Sequence, residues 1–128
     1  DRAIVIDGAR DLGGALTSAL RLRPDSLVVH ELGGVEATSL CAAARRGGGS
    51  TIVSVAAASP EGAVARLAAM VSLGVPGDPA AIRAYVSGCF DFVLALRDGA
   101  NGRVVAGTLA EVRHAHAGEL VELFTHDE

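Results

Sequence analysis

Acidic residues follow two apolar runs of the sequence, at the points where predicted strands end. Asp7 comes directly after the apolar residues 3–6, and Glu31 follows the apolar residues 27–29 after one intervening histidine. In an open parallel sheet, ligands bind beyond the carboxyl ends of the strands. Two carboxylates on neighbouring strand ends suit a hydrated Mg²⁺, and a carboxylate there can orient an attacking water. Acids at strand ends are also ordinary loop residues, and on spacing alone we favour that interpretation.

Alternating strands and helices must position these residues. The apolar runs at residues 3–6 and 27–29 and the β-branched run at residues 51–57 predict buried strands. Helices with one apolar face are predicted at residues 11–22, 35–46, 60–74 and 79–87. A capping serine or aspartate followed by proline marks the starts of the last two. This alternation predicts a parallel sheet covered by helices and joined by right-handed crossovers.

The last third of the sequence changes to strand patterns separated by turn-rich segments. Strands are predicted at residues 90–97, 102–112 and 119–125. This pattern predicts an antiparallel meander, in which Phe90 and Phe92 are core candidates because strand alternation places them on one face. His114 and His116 lie in the turn before the last strand, where we favour a solvated pair over a metal site.

Size and composition fit one domain without a membrane span. The chain has 128 residues, and we expect a single domain with βα units over residues 1–88 and antiparallel hairpins over residues 89–128. Its formal net charge of −4 argues against a nucleic-acid partner and against an anionic membrane surface. No apolar run approaches the roughly 20 residues of a membrane span. Charged residues near the start argue against a signal peptide.

The two cysteines of the chain, Cys41 and Cys89, lie far apart in the sequence. Their spacing matches neither a metal-binding motif nor a disulfide framework, which indicates a reducing cytoplasm. We interpret both as small buried hydrophobic residues.

Four stretches follow the motifs of one protein family. Residues 20–31 read L-R-L-R-P-D-S-L-V-V-H-E, which is similar to the family's L-R-x-R-P-D segment and the Walker B strand that ends in G-E. Residues 1–12 are similar to its acidic Asp box, residues 34–37 match the G-x-E-A that opens the next helix, and residues 54–60 align with its His box. The chain therefore resembles the ATPases of type II and type IV secretion and pilus assembly, most closely the tight-adherence (Flp) pilus branch.

This resemblance covers nearly the whole chain and implies a fold, a reaction and a site. The implied fold is the C-terminal part of a RecA-like core, with a mainly parallel sheet and flanking helices followed by an antiparallel meander. The implied reaction is ATP hydrolysis with Mg²⁺. Glu31 takes the place of the Walker B glutamate that polarises the attacking water. Asp7 and Asp11 take the places of the Asp-box carboxylates near the metal, which Asp7 and Glu31 would hold through water.

Arg21 and Arg23 occupy positions where the family has arginines before the Walker B strand, and the resemblance implies that they contact nucleotide. A simpler interpretation is an ion pair with Asp25 or a favourable contact with the dipole at a helix end, and we favour it.

The chain departs from the family at several functional positions. His30 replaces the Walker B glycine, where a side chain could crowd the phosphates or point into a gap between helix and sheet. Gly33 replaces an arginine, and Ala56 and Ala58 replace the His-box histidine and asparagine, so these alanines cannot hydrogen-bond a γ-phosphate. No G-x-x-x-x-G-K-S/T loop occurs in the sequence. Triphosphate binding requires such a loop, which supplies backbone N–H groups, a lysine charge and a hydroxyl.

Two explanations account for these departures. Either the chain is a fragment of a motor ATPase whose upstream part carries the phosphate-binding loop, or it is a degenerate, non-catalytic subunit or scaffold of the same assembly. The non-Met start favours the first and the two alanines favour the second. In either case the resemblance implies a hexameric ring, partners among inner-membrane secretion or pilus platform proteins, and a cytoplasmic location at the inner face of the bacterial membrane. We expect this chain to bind neither ATP nor Mg²⁺ tightly by itself.

Overall fold

Helices and strands alternate along the first part of the chain, and strands alone form the last part. The computed structural model describes residues 4–6, 10–47, 49–99, 102–113 and 119–125. In chain order its elements are α1 (Leu12–Arg21), β1 (Ser26–Val29), α2 (Glu36–Arg46), β2 (Ser50–Val53), α3 (Pro60–Gly74), α4 (Pro79–Ser87), β3 (Phe92–Asp98), β4 (Val104–Arg113) and β5 (Glu119–Thr125). This is the mixed α/β fold that the sequence predicts, with a parallel pair of strands followed by an antiparallel meander.

Local signals set the helix starts. Asp11 caps α1, because its Oδ1 accepts a hydrogen bond of 2.8 Å from the Gly14 N–H. Ser59 caps α3 in the same way through Gly62, and Asp78 caps α4. Each cap satisfies a backbone donor that the first helical turn leaves unpaired. The predicted helix boundaries are therefore confirmed to within one residue at these three starts.

Strands β1 and β2 pair in parallel, with Val28 opposite Ile52 and Val29 opposite Val53. The prediction that β1 is buried is wrong for one face: Val29 lies in the core, whereas Val28 is 69% exposed and Ile52 is 61% exposed. Successive strand residues point to opposite faces, and the described helices cover only one of them. Strand β2 is also shorter than predicted, because pairing with β1 ends at Val53.

Helix α2 lies at the centre of the core. Its residues Leu40 and Cys41 are fully buried, as is Val86 of α4. Leu67 and Val71 of α3 pack into the same cluster. Burying one such aliphatic side chain contributes about 1.5–3 kcal/mol. The many small side chains allow the helices to approach closely and to form this core with few aromatic residues.

The first predicted strand is not observed. Residues 4–6 lie outside any helix or strand, and Val5 is 91% exposed. A short apolar run becomes a buried strand only when a neighbouring strand accepts its backbone hydrogen bonds, and residues 4–6 have no such partner in the described part of the chain. Asp7, which follows this run, lies outside the described residues.

Strands β3, β4 and β5 form the predicted antiparallel meander, in that order. Val93 of β3 packs against the core, whereas Phe92 is 59% exposed, so the prediction that Phe92 is a core residue is wrong. Strand alternation is the reason, because it places Phe92, Leu94 and Leu96 together on the outer face. Phe90 precedes the strand and does pack against the core. The predicted histidine pair, His114 and His116, lies outside the described residues.

Candidate functional site

Glu31 lies directly beyond the carboxyl end of β1, as the sequence predicts. Its side chain is 83% exposed, and its backbone φ of 53° lies in the left-handed region. Gly13, in the first turn of α1, lies beside Glu36, which opens α2 just after the turn that contains Glu31, so the start of α1 lies near the end of β1. Glu31 therefore faces solvent at the edge where ligands of open α/β sheets bind.

Ser54 fixes the position of the Glu31 backbone. Its Oγ accepts a hydrogen bond of 2.9 Å from the Glu31 N–H and lies 3.0 Å from Nδ1 of His30. The Ser54 backbone also donates to the Val29 carbonyl and accepts from the Leu32 N–H, each at 3.0 Å. These bonds extend the pairing of β1 and β2 past the last strand residues and hold the turn that presents Glu31.

His30, which replaces the Walker B glycine, points outward beside Glu31. Its side chain is as exposed as that of Glu31, and its Nε2 lies 3.8 Å from the Glu31 Oε1. Of the two predicted orientations, the structure therefore shows an imidazole at the ligand edge and excludes one in a gap between helix and sheet. An exposed pair at this distance contributes little to stability.

Two further carboxylates, those of Asp11 and Glu36, lie at the same edge around Gly13. A Cβ atom added to Gly13 would be 3.6 Å from Asp11 Oδ1 and 3.7 Å from Glu36 Oε1. Glu36 opens α2, and its other oxygen approaches Gly34 in the turn after Glu31. Glu36 was not among the predicted site residues, although it is the glutamate of the G-x-E-A motif that the sequence contains.

The described residues do not form a complete Mg²⁺ site. They contain no group of three or more His, Cys, Asp or Glu side chains that could hold a metal ion. Asp11 already uses Oδ1 as a helix cap, and Glu31 offers one solvated carboxylate. Mg²⁺ binds through one or two protein carboxylates together with substrate phosphates. Glu31 fits one ligand of an ion that arrives with a nucleotide, whereas the predicted pairing with Asp7 lies outside the described residues.

The side chains that a phosphate-binding site requires are missing from the described residues next to Glu31. The turn from Glu31 to Val35 carries no lysine, and Ala56 and Ala58 are exposed beyond the end of β2. A triphosphate needs several convergent N–H donors and a cation. Among the described residues, the turn that follows β1 therefore lacks the cation of a phosphate-binding site.

The structure separates the predicted arginines from Glu31. Arg21 lies in the last turn of α1, and Arg23 lines a cleft of about 520 Å³ at the amino ends of β1 and β2, together with Arg46. They lie at the opposite end of β1 from Glu31, so within one chain these side chains do not share a ligand. Neither arginine forms an ion pair with Asp25 in the described part of the chain, and the position of Arg21 fits the interaction with the helix dipole.

The fold of the chain supports a relation to the secretion ATPases. Among solved structures it is similar to the VirB11 ATPase of the Brucella suis type IV secretion system, solved in complex with sulphate, with a TM-score of 0.71 and 27% sequence identity. The match covers 83% of this chain and confirms the family relation that the sequence motifs predict. This chain spans 34% of the length of that structure. No protein-family model and no curated protein matches the chain.

Proposed function

We propose that this chain is the part of a secretion or pilus-assembly motor ATPase that carries the Walker B carboxylate, Glu31. It is catalytically incomplete by itself, because its 128 residues contain no phosphate-binding loop. In this proposal another part of the polypeptide or assembly supplies that loop, ATP and Mg²⁺ bind between the two, and Glu31 orients the attacking water. Asp7 and Asp11 act near the metal, and Arg21 and Arg23 act on nucleotide bound by a neighbouring subunit.

The single observation that carries the proposal is the position of Glu31. Its exposed carboxylate follows a paired parallel strand, and Ser54, the residue after the adjacent strand β2, accepts a hydrogen bond of 2.9 Å from its backbone N–H. A carboxylate placed in this way can reach a water or a hydrated ion outside the sheet. The likeness to VirB11, which is an ATPase, supports ATP hydrolysis as the reaction.

The alternative is a non-catalytic subunit or scaffold of the same assembly. His30 favours it, because an imidazole occupies the edge where the family has glycine. Ala56 and Ala58 favour it as well, because methyl groups stand where the family has hydrogen-bonding side chains. In this case the assembly retains the fold and its interfaces and does not hydrolyse ATP at this subunit.

Glu31→Gln distinguishes the two candidates when it is made in the polypeptide that carries this chain together with its phosphate-binding loop. We expect ATP hydrolysis to fall at least about 100-fold, because the amide cannot act on the attacking water, whereas nucleotide binding is retained. Glu122→Gln on the exposed face of β5 is the matched control and should leave the rate unchanged. Equal ATPase rates in wild type and Glu31→Gln would support the scaffold, as would the absence of hydrolysis in the wild type.

Exposed apolar faces support assembly into an oligomer, for which we propose the hexameric ring of the family. Val28 and Ile52 lie on the uncovered face of the parallel pair, and Phe92, Leu94 and Leu96 lie on the outer face of the meander. The apolar patch on the parallel pair and the apolar patch on the meander indicate surfaces that another part of the assembly covers. None of the helices in the described ranges is long and apolar enough to cross a membrane. We propose that the ring works on the cytoplasmic side and contacts platform proteins of the inner membrane.

A further inference from the structure

The two cysteines, which are far apart in the sequence, meet in the fold. Cys41 is fully buried in α2, and Cys89 follows α4 at the edge of the core. The Cys89 Sγ lies 3.6 Å from the Cys41 carbonyl oxygen and 3.2 Å from the Tyr85 carbonyl oxygen. Both thiols are free, and Cys89 is half-buried. The wide spacing of the two cysteines in the sequence gives no indication of this contact.

The surroundings of the pair make Cys89 the more acidic thiol. A hydrogen bond from the Cys41 side chain lowers the pKa of Cys89, and the positive charge of Arg45 lowers it further, whereas burial opposes both. Arg45 is held nearby, since its guanidinium carbon lies 5.2 Å from the centre of the Tyr85 ring. The backbone carbonyls that accept from the neutral Cys89 thiol also oppose ionisation. Cys89 is also the more exposed of the two thiols, whereas Cys41 is fully buried, so Cys89 is the thiol that ionises and reacts first.

We propose that Cys89 and Cys41 form an oxidisable dithiol whose substrate is a hydroperoxide. The Cys89 thiolate attacks the peroxide, so that a sulfur–oxygen bond forms, the oxygen–oxygen bond breaks, and water or an alcohol leaves after taking a proton. Cys89 loses two electrons and the peroxide gains them. The Cys41 thiol then attacks the Cys89 sulfenic sulfur, forming the disulfide as water leaves with the Cys41 proton.

The second step becomes easier once the first has occurred. The hydrogen bond with Cys89 is the largest cause of the raised pKa of Cys41, followed by burial and then by the charge of Cys89. Oxidation of Cys89 to a sulfenic acid removes its negative charge and replaces its thiolate. Without that neighbouring negative charge, ionisation of the Cys41 thiol is opposed less, and the Cys41 thiolate is the nucleophile of the second step.

The disulfide would join two parts of the fold that pack without a covalent link. Cys41 belongs to the central helix α2, and Cys89 lies between α4 and β3. A bond between two residues that lie 48 positions apart in the sequence closes a large loop of the unfolded chain. Oxidation should therefore raise the melting temperature and fasten the start of the meander to the helical layer.

Treating the folded protein with a small excess of hydrogen peroxide tests the proposal. We expect both thiols to be lost together, with an intact mass lower by two hydrogens and full reversal by dithiothreitol. Cys89→Ser should leave the Cys41 thiol unreacted, because Cys41 is fully buried. Cys41→Ala should stop at a Cys89 sulfenic acid that a dione reagent traps. Cys41→Ser serves the same purpose if the alanine variant does not fold.

Arg45→Gln tests the electrostatic part of the proposal. It should slow Cys89 oxidation several-fold at neutral pH and shift the pH profile of the reaction to higher pH, whereas Arg45→Lys should restore much of the rate. The proposal is overturned if peroxide yields only disulfides between chains, if each cysteine oxidises independently to a sulfinic acid, or if Cys41 reacts in the Cys89→Ser variant as it does in the wild type.

Discussion

The hydroxyl of Ser54 accepts a hydrogen bond from the backbone N–H of Glu31 at 2.9 Å. This bond joins the carboxyl ends of the two parallel strands at the point where β-sheet pairing has ended. The residue that positions the candidate carboxylate therefore comes directly after the neighbouring strand β2, 23 residues further along the chain. The sequence places Ser54 at the start of the predicted His box, and in the structure it supports the predicted Walker B turn.

Ser54→Ala should destabilise the fold by about 1 kcal/mol, because it leaves the Glu31 N–H without its partner. Chemical denaturation monitored by circular dichroism measures the change. Ser72→Ala is the matched control, because the Ser72 hydroxyl bonds only to a carbonyl of its own helix. Equal effects of the two substitutions would show that Ser54 does not hold the turn.

Leu40→Ala should lower the free energy of unfolding by about 2–5 kcal/mol, because it removes a fully buried side chain from the centre of the core. The free energy of unfolding from denaturant titration gives the value. Leu73→Ala, on the exposed face of α3, should change it by no more than about 0.5 kcal/mol. A small effect at Leu40 would contradict the central position of α2.

Asp11→Ala should lower the free energy of unfolding by about 1 kcal/mol, because the Gly14 N–H loses its hydrogen-bond acceptor. Asp11→Asn should retain most of the wild-type stability, because the amide oxygen can accept the same hydrogen bond. Thermal and chemical unfolding of both variants test this capping role. If Asn destabilises as much as Ala, the negative charge matters more than the hydrogen bond, and a role for Asp11 in binding a cation gains support.

Isothermal titration of this chain with ATP and Mg²⁺ should give no measurable heat of binding up to roughly millimolar nucleotide. Protein phosphate sites combine convergent N–H groups with a cation, and the turn from Glu31 to Val35 contains no lysine or arginine. Micromolar affinity would contradict the proposal that the phosphate-binding loop comes from elsewhere.

The isolated chain should self-associate through the uncovered face of its parallel strands. Replacing both Val28 and Ile52 by threonine should reduce this association, because the change removes apolar surface and keeps β-branched side chains. Sedimentation velocity over a range of concentrations measures it. Val28→Ile, which keeps the face apolar, should behave like the wild type. A wild-type chain that stays monomeric at all concentrations would contradict the prediction.

Local signals explain what the sequence could predict. The helix starts at Asp11, Ser59 and Asp78 follow from hydrogen bonds over three residues, so a short stretch of sequence determines them. The position of Glu31 follows from a short apolar strand and the family motif around it. The helix starts and the position of Glu31 therefore depend on few residues outside their own short segments.

Contacts between distant segments explain what the sequence could not predict. The run at residues 3–6 reads as a strand, but pairing needs a neighbour that the run itself does not encode. The sequence pattern predicts Phe92 as a core residue, but which face of the meander packs inward depends on its contacts with the rest of the fold. The contact between Cys41 and Cys89 depends on how the end of α4 packs near α2, and no local sequence pattern indicates it.

The left-handed backbone conformation of Glu31 affects which residues evolution can retain at this position. A non-glycine residue with a φ of 53° costs about 1 kcal/mol relative to glycine, which adopts this conformation freely. Selection for stability alone would thus favour glycine at this position and would remove the carboxylate. A glutamate maintained at such a strained turn in related genes would be a record of selection for chemistry, whereas drift toward glycine would mark a lineage in which that chemistry has been abandoned.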